Sequence, residues 1–448
     1  MSTRPRHASG VSALIHSTIA CLADRKHADR SIAQVDPKDD GLRTMTSISD
    51  EKTNATLAGT LNHGAQNASQ PLLDLPPADQ VAAVCQAASN RSTRPVPPGK
   101  LRVAVAMSGG VDSSTTALIL KQAGYDVVGL TGWLIKSGSR CCDTGMIDAA
   151  RVCQQLEIEH HAVDLRELFK SQIIDQFHQS YAQARTPLPC SLCNTIIKWG
   201  ALYNYGKKLL DASYIATGHY ARVVPGEDGP RLARAVDPSK DQSYVLWGLT
   251  MEQLNSTLLP LGDYSKVEIR KIAQAHGLAS ANRPDSQDLC FIPKGQTPQD
   301  YLANFLEQAP GPIIHAKTGK VLGEHRGTHN FTIGQRKGLG VAASEILYVT
   351  AIDPEMRTVY AGPKEALLRR ELTASSANWI MPRAPAQPFE ALAKVRYNSK
   401  PAPAQITPLT QNRLKVVFND PQPAIAAGQV VAVYDLTDTY ILGGGWID

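Results

Sequence analysis

Between a strand-type run, Leu101-Arg-Val-Ala-Val-Ala-Met107, and a helical stretch carrying Ala117, Leu118 and Leu120, the chain reads Ala106-Met107-Ser108-Gly109-Gly110-Val111-Asp112-Ser113-Ser114. The paired glycines let backbone N–H groups approach an anion closely, the following helix turns its positive end toward it, and the serines add hydroxyl donors. A polyphosphate suits such a turn. The lysine of a Walker A loop is missing, and the glycine spacing is not that of a dinucleotide fold. A second group of reactive residues is sulfur: Cys190-Ser-Leu-Cys193-Asn194, read as a loop after Pro187-Leu188-Pro189, and Cys290 within Asp285-Ser-Gln-Asp-Leu-Cys-Phe-Ile-Pro293. A loop thiol in electropositive surroundings is favoured as thiolate and becomes a nucleophile or a sulfur carrier. Two rival uses stay open. Cys190 and Cys193 could join Cys141 and Cys142 around zinc, although an adjacent Cys-Cys departs from usual ligand spacing, or Cys190, Cys193 and Cys290 could hold an iron–sulfur cluster. Cys153 lies between helical apolar positions and reads as core; Cys21 and Cys85 receive no role.

The elements that must position these groups follow from pattern. Tyr125 to Thr131 reads as a second strand, Ile147 to Leu156 as a helix, His161 to Asp164 as a third strand and Ile215 to Thr217 as a fourth. Strands alternating with helices imply a parallel sheet covered on both faces, with ligands beyond the carboxyl ends of the strands. Past about residue 309 the pattern turns to short β-type runs at 320–322, 346–350, 358–360, 389–396, 414–418 and 430–434, broken by Gly and Pro. Two small β units are predicted there, with a break near 365–372.

Composition bounds the rest. A chain of 448 residues, 43% hydrophobic and 19% charged, suggests about three globular domains. No apolar run approaches the roughly 18 residues needed to span a bilayer, so a membrane protein is not expected. Eight cysteines are too sparse for a secreted disulfide framework, which predicts reduced thiols in a cytoplasmic setting. Residues 309–448 hold 15 Lys and Arg against 11 Asp and Glu, while the remainder is nearly balanced; a polyanionic partner docking there is one reading and a solvated face the other. The first aromatic residue is Tyr125, so residues 1–98 bury too little apolar surface to offset chain entropy and are expected to be a disordered extension, closed by the stiff linker 94–99. Its Arg-bearing start admits a transit-peptide reading, but Asp24, Asp29, Asp36, Asp39 and Asp40 follow quickly; an extension without catalytic role, or a later start such as Met45, is the alternative.

Taken in order, the phosphate loop, Pro187-Leu-Pro-Cys-Ser-Leu-Cys-Asn194 with Ile197-Lys198, Ala216-Thr-Gly-His-Tyr-Ala-Arg222, Lys240-Asp-Gln-Ser-Tyr244, Ser286-Gln-Asp-Leu-Cys-Phe291 and Thr332-Ile-Gly-Gln-Arg-Lys-Gly338 resemble the tRNA-specific 2-thiouridylases of the MnmA type. The likeness covers about residues 100–448. It implies an α/β fold: a parallel-sheet pyrophosphatase-loop domain of the adenine nucleotide alpha hydrolase kind over 99–308, a small β-rich central domain over 309–368, and a C-terminal tRNA-binding β-barrel over 369–448. The implied activity replaces O2 of the wobble uridine (U34) with sulfur, using ATP, with Mg²⁺ on its phosphates, and a persulfide delivered by a partner protein. The resemblance assigns ATP to Ala106, Met107, Ser108, Gly109, Gly110, Val111, Asp112 and Ser113, with Gly132 and Gly218. It makes Cys193 the nucleophile and Cys290 the persulfide carrier. Leu188, Pro189 and Cys190 would face the target base; His219, Lys240, Asp241, Gln242, Arg396, Tyr397 and Gln429 would contact tRNA. Two departures stand out. Gly132 falls where a larger apolar residue often meets adenine, and Cys190 where Asp is common.

The residues can also be read without the likeness. Arg396 and Tyr397 pair a phosphate clamp with a stacking ring, as single-stranded RNA favours, or Tyr397 simply covers a sheet. His219 contacts RNA or lines the nucleotide pocket as a neutral donor. A monomer is expected, and no protein-held metal ion is assigned. Other classes remain: a pyrophosphatase-loop ligase acting on a small amide or acid, and a non-catalytic RNA-binding module with a relic nucleotide site.

Overall fold

The computed structural model describes residues 101–135, 143–285 and 289–448. The expectations for residues 1–98, for Cys141 and Cys142, and for the segment 286–288 lie outside the described residues. All described residues belong to the unit Pro77–Asp448.

Five parallel strands form the first sheet: β1 (Arg102–Ala106), β2 (Asp126–Trp133), β3 (Glu159–Asp164), β4 (Tyr214–Ala216) and β7 (Thr257–Leu258), in the order β3-β2-β1-β4-β7. Val103, Ala104 and Val105 of β1 are fully buried, as a strand covered on both faces requires. Because side chains alternate, Val103 and Val105 enter one core with helix α1 (Val111–Gln122) and helix α2 (Asp143–Gln155), while Ala104 enters the other. That second core is built by two long helices, α3 over 166–182 and α4 over 189–209, each carrying a stretch widened to i→i+5 hydrogen bonding, at Lys170–Ile174 and Asn194–Leu202. Such widened turns concentrate at functional sites. Strand order reverses between β1 and β4, so the loops that follow them open at one crevice.

A four-stranded sheet follows, ordered β10-β11-β8-β9, from β8 (Gly311–His315), β9 (Val321–His325), β10 (Tyr348–Asp353) and β11 (Thr358–Gly362), around Ile313, Phe331, Val349 and Val359. The last six strands, β12 (Leu368–Trp379), β13 (Phe389–Lys394), β14 (Ala402–Leu409), β15 (Arg413–Pro423), β16 (Val430–Tyr434) and β17 (Tyr440–Ile447), close into a barrel through the β12–β17 pairing. Sequence pattern had not exposed one feature. The hairpin β5 (Ala221–Gly226) and β6 (Gly229–Arg234) leaves the first sheet's domain and extends the barrel's sheet at β17, with Ala233 opposite Tyr440 and Leu232 opposite Ile441. The expected parallel-sheet domain, small β domain and C-terminal barrel are thus all present. Among the described residues, no helix is long and apolar enough to cross a membrane.

Candidate functional site

The phosphate loop is built by backbone. Met107 is tied to β2 by its N–H to the Leu130 carbonyl (2.9 Å) and by Thr131 Oγ1, which donates to the Met107 carbonyl (3.0 Å). Gly109 has φ +73°, and a Cβ there would stand 2.2 Å from the Gly145 carbonyl oxygen, so only glycine fits. Ser113 Oγ and Ser114 Oγ both donate back to the Gly110 carbonyl (3.2 and 2.9 Å), and the Ser108 N–H donates to Ser113 Oγ (3.1 Å). The hydroxyls therefore shape the loop. The first N–H groups of α1, which lack intrahelical partners, are left to face an anion. Gly218, after β4, packs on this turn: a Cβ there would come 2.9 Å from Ser113 N. At Gly132, near the carboxyl end of β2, the atoms nearest an added Cβ belong to Leu134, Leu165 and Leu202.

A charged network joins this loop to the approach to Cys290. Asp112 accepts the Tyr220 hydroxyl (2.7 Å) and Lys266 Nζ (2.7 and 2.8 Å). Lys266, nearly buried at the start of helix α5 (Lys266–Ala275), also reaches Asp285 (3.0 Å), which Arg270 (2.6 Å) and Lys240 (3.2 Å) contact as well. Hydrogen bonds from Lys266 and Lys240 and the Arg270 charge hold the Asp285 carboxyl below its usual range against the opposing effect of burial. Arg283 donates to the Gly109 carbonyl (3.1 Å) and pairs with Asp148.

Cys190 and Cys193 are positioned from a helix, which corrects the loop expected at 190–194, while Cys290 lies in a turn. Pro189 begins α4, a place where its missing N–H and fixed φ are no burden, so Pro187-Leu-Pro189 leads into a helix instead of a loop. Within its first turns Ser191 and Asn194 are buried anchors: Trp247 Nε1 donates to Ser191 Oγ (2.8 Å) and Asn194 Nδ2 to the Val245 carbonyl (3.0 Å). Cys190 and Cys193, three apart, share another face. Cys190 is exposed, and Cys193 and Cys290 are half-buried. Desolvation raises the Cys190 thiol above its ordinary value, with Lys198 opposing it. Cys193 and Cys290 border the same apolar core, where Phe291 packs edge-on against Phe169 and Phe177 of α3. Cys153 is core, its thiol pushed up to about 12 by burial. Among the described residues, no cluster of three or more His, Cys, Asp or Glu is arranged to hold a metal ion.

His219 is buried, with Nδ1 2.7 Å from Thr217 Oγ1 and Nε2 3.2 Å from Lys198 Nζ. An ammonium can only donate, so Nε2 accepts and Nδ1 carries the proton toward Thr217. Burial, then the Lys198 charge, drives its pKa well below normal. Its folded pKa lies below its unfolded value of about 6.5, so stability from this neutral histidine is full above that pH and falls as pH drops through and below it, by at most about 1.4 kcal/mol per pH unit. Chemical denaturation of His219→Gln between pH 7.5 and 5 should show a shallower decline than the parent chain.

The expected RNA contacts divide. Asp241 is buried, its carboxylate receiving Arg234 Nη1 (2.9 Å), Ser243 Oγ (2.9 Å) and the N–H groups of Ala235 and Ser243. Gln242 clasps Tyr220 through two backbone-directed bonds, and Gln429 Nε2 donates to the Thr186 carbonyl (2.9 Å), bracing the segment before Leu188. Arg396 turns inward too, Nε to the Ala424 carbonyl (2.9 Å) and Nη2 to the Ile333 carbonyl (2.7 Å), stapling barrel to central domain. These part-buried carbonyls engage its Nε and Nη2 groups. Half-buried Leu188 and buried Pro189 flank exposed Cys190. Tyr397, 40% exposed, remains presented: its hydroxyl donates to the Asp241 carbonyl (3.1 Å), and burial, then the Asp241 charge, raises its pKa. Sequence reading missed Lys266, Asp285, Arg283 and the use of Lys198. Only Lys198 carried a signal, its place in the Ile197-Lys198 motif.

Three family models match the chain: the tRNA methyl transferase HUP domain over residues 101–294, the tRNA methyl transferase PRC-barrel domain over 299–363 and the aminomethyltransferase beta-barrel domain over 369–447. Among curated relatives, the tRNA-specific 2-thiouridylase MnmA of Gloeothece citriformis is 48% identical over 349 residues, 78% of this chain and 99% of the relative. The protein of that name from Microcystis aeruginosa is 45% identical over 348 residues (77% and 98%), and that from Acaryochloris marina 46% over 353 (78% and 99%).

Proposed function

The chain belongs to the tRNA-specific 2-thiouridylase family, sharing 45–48% identity with relatives it spans almost end to end, and from that premise we propose how its residues divide the work. The activity is tRNA 2-thiouridylation, a sulfurtransfer on a nucleotide-binding fold, and its substrate is tRNA. The target is the wobble uridine. ATP supplies the activation that turns a poor leaving oxygen at C2 into AMP. The first-turn N–H groups of α1, with Gly109, Gly110 and Gly218, hold its phosphates, and Asp112 is the carboxylate available to a Mg²⁺ bridging them.

Cys290 carries the persulfide, loaded by a sulfur-donor protein. Cys193 thiolate attacks the Cys290 sulfur that bears the outer sulfur; the Cys193–Cys290 bond forms, and sulfide leaves to attack C2, displacing AMP. A cellular thiol then reduces the disulfide. Leu188, Pro189 and Cys190 face the base, Lys240 and Tyr397 lie toward the RNA, and Asp241, Gln242, Arg396 and Gln429 hold those surfaces in place. His219 is neutral, and beside Gly218 it braces the nucleotide loop. The protein acts in the cytoplasm as a monomer, with the nucleotide domain over 99–308, a connecting domain over 309–368 and an RNA-gripping barrel over 369–448.

The observation that carries this reading is a phosphate-type loop wired to the approach to Cys290 by Lys266 and Arg283. Incubation with ATP, tRNA and a persulfide donor, then mass analysis of tRNA nucleosides, should yield 2-thiouridine only when ATP is present. Pyrophosphate release without any thiolated nucleoside, in the presence of donor, would contradict it. The rival reading, an iron–sulfur cluster on Cys190, Cys193 and Cys290, has against it that these described residues are not gathered as a metal-holding group; anaerobic purification with iron analysis decides between them.

A further inference from the structure

Lys394 ends β13. Its strand neighbours Ala391 and Ala393 face the barrel core, so Leu392 and Lys394 face outward, where Leu392 borders the core of the nucleotide domain. Lys394 is only 8% exposed. Its Nζ lies 5.4 Å from the ring centroid of Tyr244 and 5.7 Å from that of Tyr397. The carboxylates that attract it, Asp241 and Asp438, are both claimed by Arg234, at 2.9 and 2.5 Å. Among the described residues, no carboxylate or hydrogen-bond acceptor pairs with Lys394 Nζ. Burial and the like charge of Arg234 lower its pKa. Most of its stem is buried while Nζ itself keeps contact with solvent, so an ammonium with no protein anion beside it stands open to one from outside.

Two neighbours indicate what that anion is. Arg396, two residues on, has its Nε and Nη2 groups bonded to the Ala424 and Ile333 carbonyls. Tyr397 has its hydroxyl fixed on the Asp241 carbonyl, so its ring is a stationary, part-exposed platform over Lys394. Unstacked RNA bases lie on such rings, and their phosphates seek cations. We propose that Lys394 contacts a backbone phosphodiester of the tRNA strand whose base stacks on Tyr397, taking the role that sequence pattern gives to Arg396. The proposal rests on the thiouridylase reading.

The test is tRNA binding by the full chain across a KCl series. Each phosphate contact contributes about 0.7–0.9 to the slope of log K against log salt. Lys394→Met should lower the slope by about that amount and weaken binding about 5–10-fold near 0.15 M salt, while ATP affinity holds. Its melting temperature should hold or rise, since an unpaired charge on a mostly buried stem is replaced by an apolar chain of similar length. Lys394→Arg should keep the slope, and Arg396→Met should keep it while lowering the melting temperature. If Lys394→Met does not fold, Lys394→Gln against Lys394→Arg gives the same comparison. An unchanged slope and affinity in the Met or Gln variant overturns the proposal. Parent protein that binds no tRNA at all overturns the thiouridylase reading as well, whereas binding without thiolation overturns only the chemistry.

Discussion

Serine at Cys193 or at Cys290 abolishes 2-thiouridine formation, lowering turnover by about 10³-fold or more, as loss of a covalent participant does. ATP affinity in both variants stays within about twofold, because the phosphate loop is shaped by Gly109, Gly110 and its own serines and takes nothing from either thiol. The two variants also differ from each other. Cys193→Ser should accumulate persulfide on Cys290 after exposure to the sulfur donor, since the attacking thiol is gone while the carrier remains; Cys290→Ser should accumulate none there. Radiolabelled sulfur counted on the protein separates them. Full thiolation by either variant removes the two-thiol mechanism.

The second large effect is at Lys266. Removing its ammonium, as in Lys266→Met, leaves Asp112 and Asp285 facing one another across a largely buried gap. Breaking a buried ion network by deleting one member costs about 3–5 kcal/mol; Asp112 is one-third exposed and Asp285 keeps Arg270 and Lys240, so about 2 kcal/mol is expected here. Urea midpoints report that loss. Activity should suffer beyond stability, because the same lysine fixes Asp112 at the phosphate loop and Asp285 five residues before Cys290. Lys266→Arg, which keeps the charge, should recover most of the stability and part of the activity. Equal stability of the Met variant and the parent would show that the network is solvated and idle.

The parallel-sheet domain was legible because its signals are local. A run such as Val103-Ala-Val105 buried on both sides, followed by glycines at the mouth of a helix, needs no distant partner to be recognised. The β tail was legible for the same reason, through short apolar runs between turn residues. The helical start of the cysteine segment was not, since Pro187 and Pro189 look like loop punctuation until Pro189 is seen in the first turn of α4, where proline is welcome. Long-range pairing hid the rest. Lys266 meets Asp112 across 154 positions, β6 meets β17 across more than 200, and nothing in either partner's neighbours announces it. Arg396 misled in the opposite way. Beside an exposed tyrosine an arginine suggests a phosphate clamp, but the fold also placed the Ala424 and Ile333 carbonyls within its reach, and two of its N–H groups bond them.

The most direct test of the central claim, that Cys193 and Cys290 act together over one nucleotide site, is peptide mapping after a single turnover. Protein preloaded with persulfide is mixed with ATP and tRNA, quenched in acid, alkylated and digested. The account predicts a disulfide-linked pair of peptides carrying Cys193 and Cys290, in amounts matching the 2-thiouridine formed and lacking when ATP is omitted. Thiolated tRNA formed while both cysteines are recovered alkylated, or a link between Cys190 and Cys193 in its place, would contradict it.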